Sequence, residues 1–90
     1  MRSVYIYEAI RSPRTRAKST GGLHPLTPTE VLQQLYTALA QRIALDPEKL
    51  GEVILGCATQ YGEQAANIAK PSVLYANWPS HIAGLTVNRF

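Results

Sequence analysis

The single cysteine and the two histidines of this 90-residue sequence are the first candidates for nucleophilic or metal-binding chemistry: Cys57, His24 and His81. Cys57 is the only cysteine, and it lies in an apolar run with no basic neighbour in sequence that would favour its thiolate form. We therefore expect Cys57 to be a packed core residue rather than a nucleophile. Neither histidine has metal-ligand spacing to Cys57, so the sequence predicts no metal site.

Gly62 follows a strand-like run, which is a place where a phosphate-binding turn could form. The surrounding residues match neither the G-x-G-x-x-G pattern nor the G-x-x-x-x-G-K-[ST] pattern. We therefore interpret residues 62–64 as a turn between a strand and a helix.

The net charge of +3 is concentrated near the N-terminus. Up to Thr29 a single acidic residue, Glu8, stands against a set of cations: Arg2, Arg11, Arg14, Arg16 and Lys18. No groove-reading motif accompanies them, so nucleic-acid binding is not predicted. Two interpretations stay open, a solvated loop and a surface that attracts an anionic metabolite or partner.

The sequence also bears on location. No apolar run reaches the roughly 18 residues that a membrane-spanning helix requires. Because a strand-like run begins directly after Met1, we expect no removable presequence. A single cysteine cannot form an internal disulfide, so the cytoplasm is the expected compartment.

Apolar periodicity predicts three strands and two helices in the order βαβαβ. The predicted elements are a strand over 3–9, a loop over 11–27, a helix over 28–44, a strand over 52–58, a helix over 67–77 and a strand over 82–88. Thr27 and Glu30 have the spacing of a capping box at the start of the first helix. Asn67 is the predicted cap of the second helix.

The predicted sheet has one uncovered face. Two crossovers that run the same way along a parallel sheet place both helices on one side. The strand over 52–58 is apolar at both parities, which is typical of a strand buried on both faces. We therefore expect later sequence or a partner to cover the second face.

Four segments resemble thiolases in the correct order: residues 7–13 (Y-E-A-I-R-S-P), 53–57 (V-I-L-G-C), 62–69 (G-E-Q-A-A-N-I-A) and 84–90 (G-L-T-V-N-R-F). The resemblance implies an α/β fold class. The chain would be the βαβαβ N-terminal part of the layered αβαβα thiolase fold, which is incomplete without the rest of the protein. In the family's strand order, strand 3–9 is innermost and strand 82–88 lies at the edge.

The resemblance also implies an activity. In thiolases a cysteine follows the segment that resembles 84–90, and the substrate acylates it, so the catalytic residue is expected immediately after Phe90 and none within this chain. The complete protein would be an acyl-CoA C-acyltransferase of fatty acid metabolism that cleaves 3-ketoacyl-CoA with coenzyme A or condenses acyl-CoA units. Coenzyme A thioesters would be substrates, with no permanently bound cofactor. Asn88 and Phe90 would line the substrate site, and the ninety residues alone would be inactive.

Residues 62–69 and 86–89 look more like the degradative 3-ketoacyl-CoA thiolases than the biosynthetic type. Thiolases pair the edge strand with the same strand of a second subunit. The resemblance therefore places Leu85, Thr86, Val87 and Asn88 at the interface of a homodimer or tetramer. Two other hypotheses are a non-catalytic scaffold or lipid-carrier subunit and a free-standing binding module. A cysteine after Phe90 would favour the enzyme over the scaffold.

Overall fold

A computed structural model describes residues 2–89 of the protein. Within them helix α1 spans Pro28–Ile43, strand β1 spans Glu52–Gly56, helix α2 spans Ala69–Tyr75 and strand β2 spans Ala83–Val87. Two 3-10 turns, Pro47–Lys49 and Gly62–Gln64, lie on either side of β1 in sequence. The fold is a small mixed α/β unit.

Helix α1 begins at the capping box that the sequence predicts. The hydroxyl of Thr27 accepts a hydrogen bond from the Glu30 N–H, and the Glu30 carboxylate accepts one from the Thr27 N–H at 2.6 Å. These two bonds satisfy main-chain donors that have no partner within the helix. The helix ends where Ala44 adopts a left-handed conformation and its N–H bonds to the carbonyl of Ala40.

The two strands form a parallel sheet in which Ile54 is paired with Leu85 and Gly56 with Val87. This confirms the predicted parallel pairing of the second and third strand-like runs. Helix α2 connects the two strands and packs on one face of the sheet, while α1 packs on α2 and on the turn Gly62–Gln64. The helices therefore lie on one side of the sheet.

The opposite face of the sheet is open to solvent. Ile54 is 63% exposed, Leu85 46% and Val87 47%, and all three project from this face. The uncovered face expected from the sequence is therefore present in residues 2–89. The expectation that both faces of β1 are buried is not met by the described residues alone.

The strand expected over residues 3–9 does not form. Residues 2–10 adopt no regular secondary structure, and Val4 and Ile6 are 92% and 90% exposed. A strand needs a neighbouring strand to satisfy its main chain and a packed layer to cover its side chains. In residues 2–89 this segment pairs with no strand and stays exposed, so the observed order is αβαβ instead of βαβαβ.

The core lies between the helices and the sheet. Its fully buried side chains include Ala69, Val73 and Ile82. The one buried polar side chain among the described residues is Ser72, which donates to the Ala69 carbonyl at 2.7 Å and bonds the hydroxyl of Tyr36 at 2.9 Å. The ring of Tyr36 stacks on Trp78 with 4.9 Å between ring centroids. These contacts hold α1 against α2.

Candidate functional site

The carboxyl ends of β1 and β2 lie side by side because the strands are parallel. The N–H of Cys57, just past β1, donates to the carbonyl of Val87 at 2.9 Å, which extends the ladder to the end of both strands. Ligands of open α/β sheets bind at the carboxyl ends of the strands. This edge is therefore the candidate functional site.

Asn88 is the first residue after β2, and its side-chain amide is held by the protein. The Nδ2 atom donates to the Ala58 carbonyl and to Oε1 of Gln60, both at 3.1 Å. Gln60 in turn donates from Nε2 to the carbonyl of Ala66 at 2.6 Å. Side-chain amides thus join the connection after β1, the end of β2 and the approach to α2.

Thr86 connects β2 to the start of α2. Its hydroxyl accepts from the Ala69 N–H at 3.1 Å and donates to Oδ1 of Asn67 at 2.6 Å. Asn67 also donates from Nδ2 to the Gly84 carbonyl at 2.8 Å. The prediction that Asn67 caps α2 is therefore wrong: the N-cap is Ile68, and a strand hydroxyl satisfies the helix N–H.

Lys70 makes a second link between α2 and β2. Its Nζ atom donates to the carbonyls of Ser80 and Ile82, each at 2.6 Å. The charge-assisted bonds hold the chain as it enters β2. Sequence reasoning assigned no role to Lys70, because both acceptors are main-chain atoms that side-chain patterns do not reveal.

Cys57 is half-buried, and its sulfur lies 3.5 Å from the carbonyl of Thr59 and 3.9 Å from that of Gln64. Within residues 2–89 no hydrogen bond or ion pair joins it to a histidine, lysine or arginine. It lines an apolar cavity of about 380 Å³ between the loop before α1, the helix itself and the end of β1. Cys57 is therefore only half-buried at the end of β1 and is not part of the fully buried core that the sequence predicted for it, and its described contacts supply no base.

The basic loop before α1 folds around a second hollow of about 350 Å³. Its lining includes Arg14, Arg16, Lys18 and His24. No described carboxylate forms an ion pair with these residues. His24 and His81 lie apart from Cys57 in sequence and share no site with it, and no cluster of three possible metal ligands occurs in residues 2–89.

The remaining predicted site residues are distributed along β2 and beyond it. Leu85, Thr86 and Val87 belong to the strand, which pairs with β1 on one side only among the described residues. Phe90, expected to line the substrate site, lies outside the described residues. No helix in the described part of the chain is long and apolar enough to cross a bilayer.

These features define a mixed α/β unit in which a polar network fastens the carboxyl ends of two parallel strands. The sequence profile described as "Thiolase, N-terminal domain" matches residues 4–90. The chain therefore belongs to the thiolase family.

Curated proteins are similar along nearly the whole chain. The chain is 34% identical to the steroid 3-ketoacyl-CoA thiolase of Mycobacterium tuberculosis over 99% of its own length and 21% of that protein. It is 38% identical to a 3-ketoacyl-CoA thiolase of Colwellia psychrerythraea over 99% of its length and 23% of the relative. It is 37% identical to the beta-ketoadipyl-CoA thiolase of Pseudomonas knackmussii over 98% of its length and 22% of the relative. The chain thus spans about a fifth of the length of these relatives.

Proposed function

We propose that the protein to which this chain belongs is a 3-ketoacyl-CoA thiolase that transfers acyl groups through a cysteine acyl-enzyme. The observation that carries the proposal is the thiolase match over residues 4–90, together with relatives whose names specify 3-ketoacyl-CoA or beta-ketoadipyl-CoA. These names favour the degradative direction, in which coenzyme A cleaves the 3-ketoacyl chain. Fatty acid metabolism in the cytoplasm is the corresponding setting.

The nucleophile in this proposal is a cysteine immediately after Phe90. At the N-terminus of a helix, the macrodipole and a nearby histidine favour the thiolate form. The thiolate attacks the 3-keto carbon, the bond between carbons 2 and 3 breaks, and acetyl-CoA leaves after protonation of its enolate by an acid. The thiol of a second coenzyme A then attacks the acyl-enzyme and releases the shortened acyl-CoA. Oxyanion holes stabilise the charge that develops on each carbonyl oxygen.

The chain itself contributes the support for that cysteine. Strand β2 leads toward Phe90, and both its ends are fastened, at Ile82 by Lys70 and at Asn88 by Ala58 and Gln60. The face of the sheet that is exposed in residues 2–89 is the surface on which later parts of a thiolase would pack.

We also propose that Leu85–Asn88 form the edge at which two subunits meet. In a parallel sheet, alternate residues of a strand direct their main-chain groups to opposite sides. The N–H of Ala83 and the carbonyl of Val87 form hydrogen bonds toward β1. The main-chain groups of Thr86 and Asn88 therefore point toward the free edge of β2. At that edge the carbonyl of Gly84 already accepts a hydrogen bond from Asn67. Light scattering of the complete protein at micromolar concentration should give a dimer or tetramer, and a monomer would contradict this interface.

The proposed activity is tested by incubating the complete protein with acetyl-CoA and locating the acetyl group by mass spectrometry of a digest. We expect it on the peptide that follows Phe90, with Cys57 unmodified. The ninety-residue chain on its own should show no turnover. Acetylation of Cys57 or turnover by the isolated chain would contradict the assignment, and a residue other than cysteine after Phe90 would favour the non-catalytic scaffold.

A further inference from the structure

Asn88 directly follows β2, two positions after Thr86, and its amide bonds the connection after β1. Side chains alternate along a strand, so Asn88 continues the row that contains Gly84 and Thr86. The members of this row are held in different ways: Gly84 lies against the α2 main chain, Thr86 bonds the first N–H of α2, and Asn88 bonds the connection after β1. These three residues therefore hold β2 against α2 and against the connection after β1.

The amide of Asn88 has both of its N–H donors occupied. One bond goes to the Ala58 carbonyl and the other to Oε1 of Gln60. An amide nitrogen carries two hydrogens, so none remains for a substrate atom. This arrangement argues against direct hydrogen bonding from the Asn88 amide nitrogen to substrate.

Gln60 extends the restraint to the beginning of α2. Its Oε1 accepts from Asn88 and its Nε2 donates to Ala66, two residues before the N-cap Ile68. Reversing the Gln60 amide would place its nitrogen against the nitrogen of Asn88 and its oxygen against the Ala66 carbonyl. The orientation of both amides is therefore set by the network.

We infer that Asn88 is a positioning residue that fixes the carboxyl end of β2 and, through it, the residue that follows Phe90. The inference rests on the proposed function, since it assigns Asn88 a role in placing the acylated cysteine. A displacement of about 1 Å at a reacting atom can lower a rate by roughly a hundredfold. Loss of the two amide bonds should therefore slow acylation without weakening the binding of the coenzyme A thioester.

The test uses the complete protein with acetoacetyl-CoA and coenzyme A as substrates. Asn88→Ala removes both bonds and should lower kcat by about tenfold or more while KM changes by less than about twofold. Gln60→Ala removes one of the bonds and should lower kcat by a smaller factor, again with KM preserved. Two controls should keep the wild-type kcat: Tyr36→Phe, which loses a hydrogen bond in the core, and Gln41→Glu, which changes an exposed amide of α1.

The outcomes separate the inference from the activity on which it rests. A raised KM with unchanged kcat in Asn88→Ala would identify a substrate contact and overturn the positioning role. A wild-type kcat in Gln60→Ala would also overturn it, even if Asn88→Ala failed to fold. If the wild-type protein is active and one of these two variant results is found, only the positioning role of Asn88 is contradicted. If the wild-type protein acylates no cysteine after Phe90, the proposed function and this inference are both contradicted.

Discussion

The hydroxyl of Thr86 on β2 donates to Oδ1 of Asn67 at 2.6 Å, across 19 positions of sequence. The same hydroxyl accepts from the N–H of Ala69, which is fully buried at the start of α2. One strand side chain therefore does for this helix what an N-cap side chain usually does. The contact also joins the crossover connection to β2.

Replacing Thr86 by valine keeps the shape of the side chain and removes the hydroxyl. We expect the free energy of unfolding to fall by about 1–3 kcal/mol, because the buried Ala69 N–H loses its acceptor. Thr37→Val is the matched control, since the Thr37 hydroxyl bonds the Gln33 carbonyl on an exposed part of α1, and its effect should stay within about 0.5 kcal/mol. Urea titration of both variants measures the difference, and equal losses would contradict the capping role.

Gly84 is a position where α2 approaches β2 closely. A Cβ atom at this residue would lie 2.5 Å from the main-chain nitrogen of Lys70 and 2.7 Å from its Cα. Gly84→Ala should therefore push the helix off the strand and cost about 2–3 kcal/mol of unfolding free energy.

Gly56 provides the matched control, because it is also a strand glycine and a Cβ there would have no neighbour within 4 Å. In this chain Gly56→Ala should change the free energy of unfolding by no more than about 0.5 kcal/mol. The close contact between α2 and β2 would be refuted if the two substitutions had equal effects in urea.

Ala66 adopts a left-handed backbone conformation with φ of 55°. Glycine enters this region without the steric cost that a Cβ atom imposes, although it loses more entropy on folding. Ala66→Gly should raise the free energy of unfolding by about 0.5–1 kcal/mol. Ala65→Gly should instead lower it, since Ala65 is extended, with φ of −71°. Chemical denaturation measures both, and a destabilised Ala66→Gly variant would contradict this account.

Glu8 ties the N-terminal segment to α1. The Glu8 carboxylate accepts a hydrogen bond from the N–H of Ala9 at 2.9 Å and another from Nε of Arg42 at 3.1 Å. Both bonds lower the pKa of Glu8 from its ordinary value, and the bond from Ala9 has the larger effect. Because the pKa is lowered, the stabilisation from these Glu8 contacts is fully present above the ordinary pKa of glutamate. It is lost as the pH falls through the pKa that Glu8 has in the folded protein.

Carbon-13 NMR titration of the Glu8 carboxyl should therefore give a midpoint below that of free glutamate. Arg42→Ala should raise the midpoint only part of the way, because the Ala9 bond remains. Arg42→Lys, which keeps the charge, should raise it less. A midpoint in Arg42→Ala equal to that of free glutamate would contradict the leading role of the main-chain bond.

Local signals in the sequence predicted the local features well. The start of α1 follows from Thr27 and Glu30 because a capping box involves only four consecutive residues. The strand-like character of residues 3–9 is equally local, yet a strand also depends on pairing, and this segment pairs with no strand in residues 2–89. Propensity therefore predicted α1 but not the state of the N-terminal segment.

The candidate site depends on contacts that are distant in sequence. Asn88 was singled out through family resemblance, but its acceptors lie 28 and 30 positions earlier, and no periodicity connects them. Asn67 was assigned to the nearest helix, whereas its partners are on β2. The sequence signal for the link between Asn67 and β2 is side-chain alternation, which puts Gly84 and Thr86 on one side of the strand and would continue to Asn88.

The stacking of Trp78 on Tyr36 supplies an optical probe of this unit. Trp78 is the only tryptophan in the sequence, and its ring lies at 21° to that of Tyr36, which reaches across from α1 to the end of α2. Intrinsic fluorescence excited at the red edge of the indole band therefore comes from Trp78 alone, whose ring lies against Tyr36 of α1. Separation of α1 from α2 would shift that emission to longer wavelength, so the docking of the two helices can be followed in real time without a label.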